Sequence, residues 1–375
     1  MTRIAASALV GLLLISAPLA AQPAPDDGQP KLGKLLISVA EAEHPRKYSV
    51  VLLDLTTGKT TTLIQGGEKS SAVAVSVSPQ AKLMAVQEDA PIMEKGQEHG
   101  SSRRFTFRSV ENPEKIVHTL SNKHMWPVFL DENHVITAGP PKDMPEGAED
   151  QTVIKTVDLT TGDEVDMNVV EGKIWDDVPF QLSPNKRRLV HYRRGKEQRG
   201  LYVFDLDSAE ATLLSEGGSF FTWAPDGVHG YLFLKKEKKL QYVKVPRGKP
   251  LEVVKDFGPN SVLGTPLGKE SFLYARFKMG EKFRPLGFEA LHLNLQSGAE
   301  VSVSTSIPLD EFSIVRCFVQ AQETQSFVFV EVDPEAKEPR KAPRRLVLGR
   351  VKEGKVERTI LLEGKQSIGF PISLP

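Results

Sequence analysis

Two kinds of turn alternate down this 375-residue chain, and their alternation narrows the possible folds more than any other feature. The first kind closes a strand ending in Asp-Leu. Asp54-Leu55-Thr56-Thr57-Gly58 and Asp158-Leu159-Thr160-Thr161-Gly162 are nearly identical, and looser copies stand at Asn112-Pro113, Asp205-Leu206-Asp207-Ser208, Pro246-Arg247-Gly248, Asn294-Leu295-Gln296-Ser297-Gly298 and Lys352-Glu353-Gly354. An Asp or Asn side chain bonds the backbone of such a turn, while Gly accepts the positive φ that a tight hairpin imposes. The second kind is Ser-Pro with a polar pair: Ser78-Pro79-Gln80, Ser183-Pro184-Asn185 and Ala224-Pro225-Asp226-Gly227, with degenerate versions at Asp131-Glu132-Asn133, Leu267-Gly268-Lys269 and Gln322-Glu323-Thr324. From Gly58 to Gly354 the first turn recurs in six steps of about 49 residues, a period of propellers and solenoids rather than sandwiches.

Between the turns lie apolar or alternating runs of strand length, rich in Val, Leu, Phe and Tyr, and no convincing helix follows Leu35. Each repeat reads as four strands joined by a Ser-Pro turn, a variable loop and a Thr-Gly turn, which is one propeller blade. The prediction is an all-β, seven-bladed β-propeller of four-stranded antiparallel blades, or six blades if the degenerate Arg104–Thr137 region is miscounted. Leu35–Ala40, Tyr48–Leu55 and Thr60–Gln65 supply only three strands of a first blade, and Ser367–Leu374 is left over at the C-terminus. An open fan of blades would expose its first and last faces, so the C-terminal strand is expected to join the N-terminal blade and close the ring.

The repeat resembles that of the TolB-like, WD-repeat-like β-propellers, whose units run apolar-Trp-Ser-Pro-Asp-Gly and then Asp-Leu-x-x-Gly. Thr222-Trp223-Ala224-Pro225-Asp226-Gly227 is the nearest copy of the first half, and Asp54 to Gly58 and Asp158 to Gly162 match the second. The resemblance implies the fold over nearly all of the chain beyond Leu35. It does not choose a function, since such propellers serve as binding platforms, as gates of hydrolases and as catalytic cups of polysaccharide lyases. The separate domain that precedes the propeller in TolB has no room here.

The N-terminus reads differently. A short positive start, the apolar run Ile4–Ile15 and small residues around Ala20 and Ala21 predict a signal peptide over residues 1–21, too short to span a bilayer needing about 20 apolar residues. No cysteine follows, so no lipid anchor is expected. Residues 22–33 form a flexible segment and residues 34–375 a single propeller domain. The expected location is the periplasm or the medium, without membrane insertion once the signal is removed. Lys+Arg and Asp+Glu both number 48, which argues against a generally basic nucleic-acid binder. The lone Cys317 excludes a disulfide framework within the chain and any Cys-rich metal site.

In a four-stranded blade the two tight turns share one face, and the loops between the second and third strands share the other. Those loops are Glu41–Lys47, Glu88–Arg104, Gly139–Gln151, Arg193–Gly200, Lys235–Lys239, Lys278–Gly287 and Asp333–Arg345; they are long and charged, as binding loops are. The last four carry net charges of +3, +3, +2 and +2, whereas Glu88–Arg104 and Gly139–Gln151 carry −1 and −3. One side of this face is therefore expected to be basic and to steer an incoming partner. The candidate partner-binding residues are Trp126, Trp175, His191, Arg193, Arg194, Lys235, Lys236, Lys238 and Lys239. The two Trp residues precede innermost strands, where a ring either lines the channel mouth or packs between blades. Trp223, part of the repeat, is read as core.

Catalytic signatures are missing. The sequence has no Gly-x-Ser-x-Gly elbow, no His-Glu-x-x-His pair, no Walker loop and no Gly-x-Gly-x-x-Gly opening a helix. The eight histidines show no metal-ligand spacing, although a propeller can gather single histidines at its axis. Asp176-Asp177 beside Trp175 would converge only in a loop. No catalytic, cofactor or metal residue is assigned and no cofactor is expected. The sequence thus favours an exported, monomeric, non-enzymatic propeller binding an envelope protein or an extended peptide. The alternative is a propeller enzyme, a metal-dependent lyase or hydrolase, acting on acidic saccharides.

Overall fold

Strands pair wherever the sequence alternates, and they do so in seven separate sheets. In the computed structural model the described residues run from 33 to 374, apart from 41–46, 68–69, 95–96, 122, 143–151, 171–172, 175–179, 195–198, 217–219, 235–238, 246–249, 257–260, 268–269, 280–284, 308–318, 321–325, 334–335, 337–341, 366 and 370–371. The expected signal segment lies outside them.

Blade 1 contains β1 (Lys34–Ala40), β2 (Tyr48–Asp54) and β3 (Thr60–Ile64); blade 2 contains β4 (Ser71–Val77), β5 (Leu83–Glu94), β6 (Gln97–Ser109) and β7 (Ile116–Leu120). Blade 3 is β8 (Met125–Phe129), β9 (His134–Gly139), β10 (Thr152–Asp158) and β11 (Glu164–Val170). In blade 4 the innermost strand comes in two pieces, β12 (Lys173–Ile174) and β13 (Gln181–Leu182), followed by β14 (Arg188–Arg194), β15 (Gly200–Asp205) and β16 (Glu210–Glu216). Blade 5 is β17 (Phe220–Trp223), β18 (His229–Leu234), β19 (Lys239–Lys244) and β20 (Pro250–Asp256); blade 6 is β21 (Ser261–Leu267), β22 (Ser271–Met279), β23 (Pro285–Asn294) and β24 (Glu300–Ile307). Blade 7 is β25 (Val319–Gln320), β26 (Ser326–Val332), β27 (Arg344–Lys352) and β28 (Lys355–Lys365), after which β29 (Ser367–Ile368) and β30 (Ile372–Ser373) return to β1. The fold is an all-β, seven-bladed propeller of antiparallel blades, with the Arg104–Thr137 region supplying strands of blades 2 and 3.

The ring closes as the sequence predicts. Val39 and Ala40 pair with Ile368 and Ser367, Leu35 and Leu36 pair with Ser373 and Ile372, and the amides of Leu374 and Gly369 donate to Lys34 and Ser38. Seven hydrophobic clusters then bridge neighbouring blades, and the one joining blade 7 to blade 1 gathers Leu35, Ile37, Val328, Leu346 and Ile368. Middle strands have a blade on each side, which is why β26, Ser-Phe-Val-Phe-Val-Glu-Val, is buried at every position. The outer β16 alternates and is mostly exposed.

Turn chemistry follows the repeat. Asp54 Oδ1 accepts the amides of Thr56 and Thr57 at 3.0 and 2.8 Å, and Asp158, Asp205 and Asn294 do the same in blades 3, 4 and 6. In the Ser-Pro turns the hydroxyl is the acceptor instead: Ser78 takes Lys82 and Leu83, and Ser183 takes Arg187 and Arg188. Both turn kinds share a face, because the amide after the third strand donates to a carbonyl before the second strand in blades 2 to 6, as Val110 does to Lys82 and Leu159 to Asn133. That face is stitched between blades by Ser78 Oγ donating to Glu132 and by Asn185 Nδ2 donating to the Gly227 carbonyl. Trp223 is core, its indole donating to the Gln181 carbonyl of blade 4.

Glu88–Arg104 differs from the expectation of a loop. β5 and β6 continue to pair from Asp89↔Arg103 out to Glu94↔Gln97, so this connection is a long hairpin. Likewise β22 and β23 carry paired backbone as far as Met279 and Pro285. Polar composition hid strand pairing that the ladder continues past the rim of the blade.

Two tests follow from this packing. Deleting residues 367–375 removes Ile368 and Leu374, both buried, and is expected to cost at least about 3 kcal/mol, at 1.5–3 kcal/mol per apolar side chain; an unchanged denaturant midpoint contradicts closure by β29 and β30. A Cβ at Gly264, where β21 bulges, would lie 1.7 Å from the Leu273 carbonyl oxygen, whereas Gly58 (φ 68°) has open space. Gly58→Ala should therefore cost about 1–2 kcal/mol for backbone conformation alone, and Gly264→Ala distinctly more, read from the same melts.

Candidate functional site

Opposite the stitched turns lies the face where second strands end and third strands begin. In blades 2, 3, 4, 6 and 7, on the side that faces the preceding blade, polar groups stand within an otherwise apolar interface. In blade 2, Glu88 accepts from Arg104 Nη2 at 2.9 Å, Arg108 Nη2 at 2.6 Å and Thr106 Oγ1 at 3.1 Å. In blade 3, Lys155 is 1% exposed and holds Glu164 at 2.7 Å and Asp166 at 3.4 Å. Blade 6 pairs Arg276 with Glu289 at 2.7 Å. In blade 7 the fully buried Glu331 accepts from Ser304 Oγ at 2.6 Å, from Arg345 at 3.0 Å and from Arg358.

Blade 4 places His191 and Arg193 at the corresponding positions. His191, in the second strand, is fully buried, so its ring does not reach a partner at the surface. Arg193 is also buried; its Nε donates to His191 Nε2 at 3.1 Å and its guanidinium lies 4.1 Å over the Tyr202 ring. Because Nε2 accepts, Nδ1 carries the proton, and it has no hydrogen-bond partner. Burial first, and the Arg193 charge second, push the His191 pKa down to about 3. This is a neutral imidazole stacked on Tyr202 at 5.9 Å, with Phe180 edge-on at 6.3 Å.

Other expected residues fall less centrally. Trp126 is half-buried in β8 with φ 26° at a bulge between Met125 and Val128, its ring 6.4 Å from Phe105. Lys239 is half-buried at the first position of β19. Trp175, Asp176, Asp177, Lys235, Lys236, Lys238, Cys317 and the side chain of Arg194 lie outside the described residues. In the last loop Arg345 is offset by Glu331, a strand-end carboxylate that loop counting omits, whereas Arg276 and Glu289, both outside Lys278–Gly287, pair with each other. Blades 4 and 5 place Arg193, Arg199 and Lys239 at this face; Arg199 is exposed and donates to the Tyr192 hydroxyl at 3.2 Å.

Among the described residues the histidines do not converge. His134 and His229 bond turn carboxylates, Asp131 and Asp226, on the opposite face. His292 is buried singly, and His118 and His124 belong to the interface of blades 2 and 3. Among the described residues no three His, Cys, Asp or Glu side chains are placed to hold a metal ion. No helix among them is long and apolar enough to cross a membrane.

No protein-family model matches the sequence, and no curated protein sequence resembles it. Solved structures do resemble the fold. An oligogalacturonate lyase in complex with manganese superposes with a TM-score of 0.55 at 13% identity, covering 86% of this chain and 87% of that one. An oligogalacturonate lyase of Vibrio parahaemolyticus gives 0.55 at 12% over 85% and 92%. A candidate 6-phosphogluconolactonase of Bacteroides uniformis gives 0.51 at 12% over 90% and 99%. Identities this low establish the propeller fold. They also correct the expectation of a non-enzymatic binding platform: these three structures, which match most of the ring, are described as enzymes.

His191 generates a test. Its folded pKa of about 3 lies below the ordinary 6.5, so the unfolded chain takes up a proton first as pH falls, and stability is lost from pH 6.5 down toward 3. The expected slope from this residue is about 1.4 kcal/mol per pH unit. His191→Gln should flatten the acid limb of a melting-temperature profile by that amount; an unaltered limb contradicts the buried neutral ring.

Proposed function

We propose that this protein is an exported propeller enzyme of TolB-like repeat ancestry that acts on an acidic saccharide, holding the sugar carboxylates at the loop face of blades 4 and 5. The observation that carries the reading is coverage: the lyases match this chain over most of both molecules, which supports reading the whole ring as the scaffold of a saccharide-cleaving enzyme. The substrate class is supported by the exposed Arg199 and the half-buried Lys239, cations that suit a carboxylate-bearing sugar. Export is supported by the N-terminal apolar run ending in small residues.

One of the lyases carries manganese. The described residues of this chain do not fit such a site, because their histidines are dispersed over the turn face and three blade interfaces, and no step is assigned to a metal.

Incubation with oligogalacturonate, other uronate oligosaccharides, sugar lactones and neutral oligosaccharides, followed by mass spectrometry, tests the proposal. Uronate chains should shorten and neutral ones remain intact. The double variant Arg199→Glu, Lys239→Glu should raise KM about tenfold or more, a cost of about 1.4 kcal/mol per tenfold, while the melting temperature holds. Failure of every acidic saccharide and lactone to bind or react overturns the reading.

A further inference from the structure

The connection from the outer strand of blade 2 to the inner strand of blade 3 carries a hydroxyl, an imidazole and a carboxylate in line. Ser121 Oγ lies 3.2 Å from His124 Nδ1, and His124 Nε2 lies 3.2 Å from Glu164 Oε1. Glu164 is held in turn by Lys155 Nζ at 2.7 Å, and Lys155 also reaches Asp166 at 3.4 Å. Three separate pieces of chain meet here: the interblade connection, β10 and β11.

The order of partners fixes the tautomer. A carboxylate accepts only, so Nε2 carries the proton and Nδ1 presents its lone pair to the Ser121 hydroxyl, which is the orientation of a general base. Exposure is divided in the same sense, with Ser121 exposed and the His124 side chain only 10% exposed. Gly139 leaves room for the ring; a Cβ there would stand 3.2 Å from His124 Cδ2. Thr137 Oγ1 donates to the Met125 carbonyl at 2.5 Å and fastens the residue that follows His124. Burial, working against the Glu164 charge, lowers the His124 pKa and keeps the ring neutral near pH 7.

We propose that Ser121, His124 and Glu164 form an acyl-transfer site that hydrolyses short acyl esters. Ser121 Oγ forms a bond to the ester carbonyl carbon as its proton passes to His124 Nδ1. The carbon–oxygen bond to the alcohol then breaks, and the alkoxide leaves with that proton. Water attacks the acyl-serine, gives a proton to Nδ1, and the acid departs as the proton returns to Ser121 Oγ. Ser121 and His124 are the catalytic residues, and Glu164 and Lys155 are positioning residues. The site is independent of the saccharide reading, and its assay contains no sugar.

The test is covalent labelling of the full chain with a fluorophosphonate, read by intact mass and peptide mapping, together with turnover of p-nitrophenyl acetate. One label is expected, on Ser121. Ser121→Ala should abolish it and reduce ester turnover about a hundredfold, within the range for positioned acid–base catalysis; His124→Gln should match it. Glu164→Gln keeps a hydrogen bond without the charge and should lower kcat with KM unchanged, which a merely structural role would not do. Labelling elsewhere, no labelling of the unaltered chain, or a Ser121→Ala variant as active as its parent overturns the proposal.

Discussion

Pairing of β1 with β29 and β30 is the constraint on which the rest depends. Each blade is covered on both faces only because its neighbours are present, and blades 1 and 7 would lack a neighbour in an open arc. The cluster of Leu35, Ile37, Val39, Val51 and Leu53 against Val328, Val330, Leu346 and Leu348 is the seventh interface, and it forms only when the chain ends meet. It joins strands more than 270 residues apart in sequence, so closure is a non-local contact and the loop entropy it must overcome is large. Once made, it lets every middle strand be apolar on both sides.

Against that apolar background the charged clusters near the loop face stand out. Glu88, Lys155, His191 with Arg193, and Glu331 each occupy a position where the alternation calls for an apolar side chain. Buried ion pairs contribute little net stability, because desolvating two charges offsets most of their attraction, but they penalise any packing that separates the partners. Ser304 of blade 6 bonds Glu331 of blade 7, and His124, which leads into blade 3, bonds Glu164 of its outer strand. Such bonds fix how one blade sits against the next, and so they fix the rim from which a substrate would be approached.

Much of the scaffold was legible in the sequence because turns are local chemistry. Asp54, Asp158 and Asn294 cap their turns as their spacing implies, and the surplus strand at Ser367–Leu374 follows from counting strands. The site was less legible because it is assembled across blades. His191 and Tyr202 come from neighbouring strands and Phe180 from the residue before β13, and no local pattern announces a ring that is buried from both sides. A usable signal did exist at Lys155, set between Val153 and Val157 on the same buried face, since a cation there must have a carboxylate partner. Glu331 within Phe-Val-Phe-Val-Glu-Val is a second such signal. Loop charges misled in part because they were summed without the carboxylates at neighbouring strand ends.

The most direct measurement of the functional account is hydrogen–deuterium exchange with and without saturating oligogalacturonate. The account predicts slowed exchange in peptides spanning Arg193 to Gly200 and the start of β19, with the Asp-Leu and Ser-Pro turns unchanged. Protection confined to those turns, or none on any part of the ring, would contradict it.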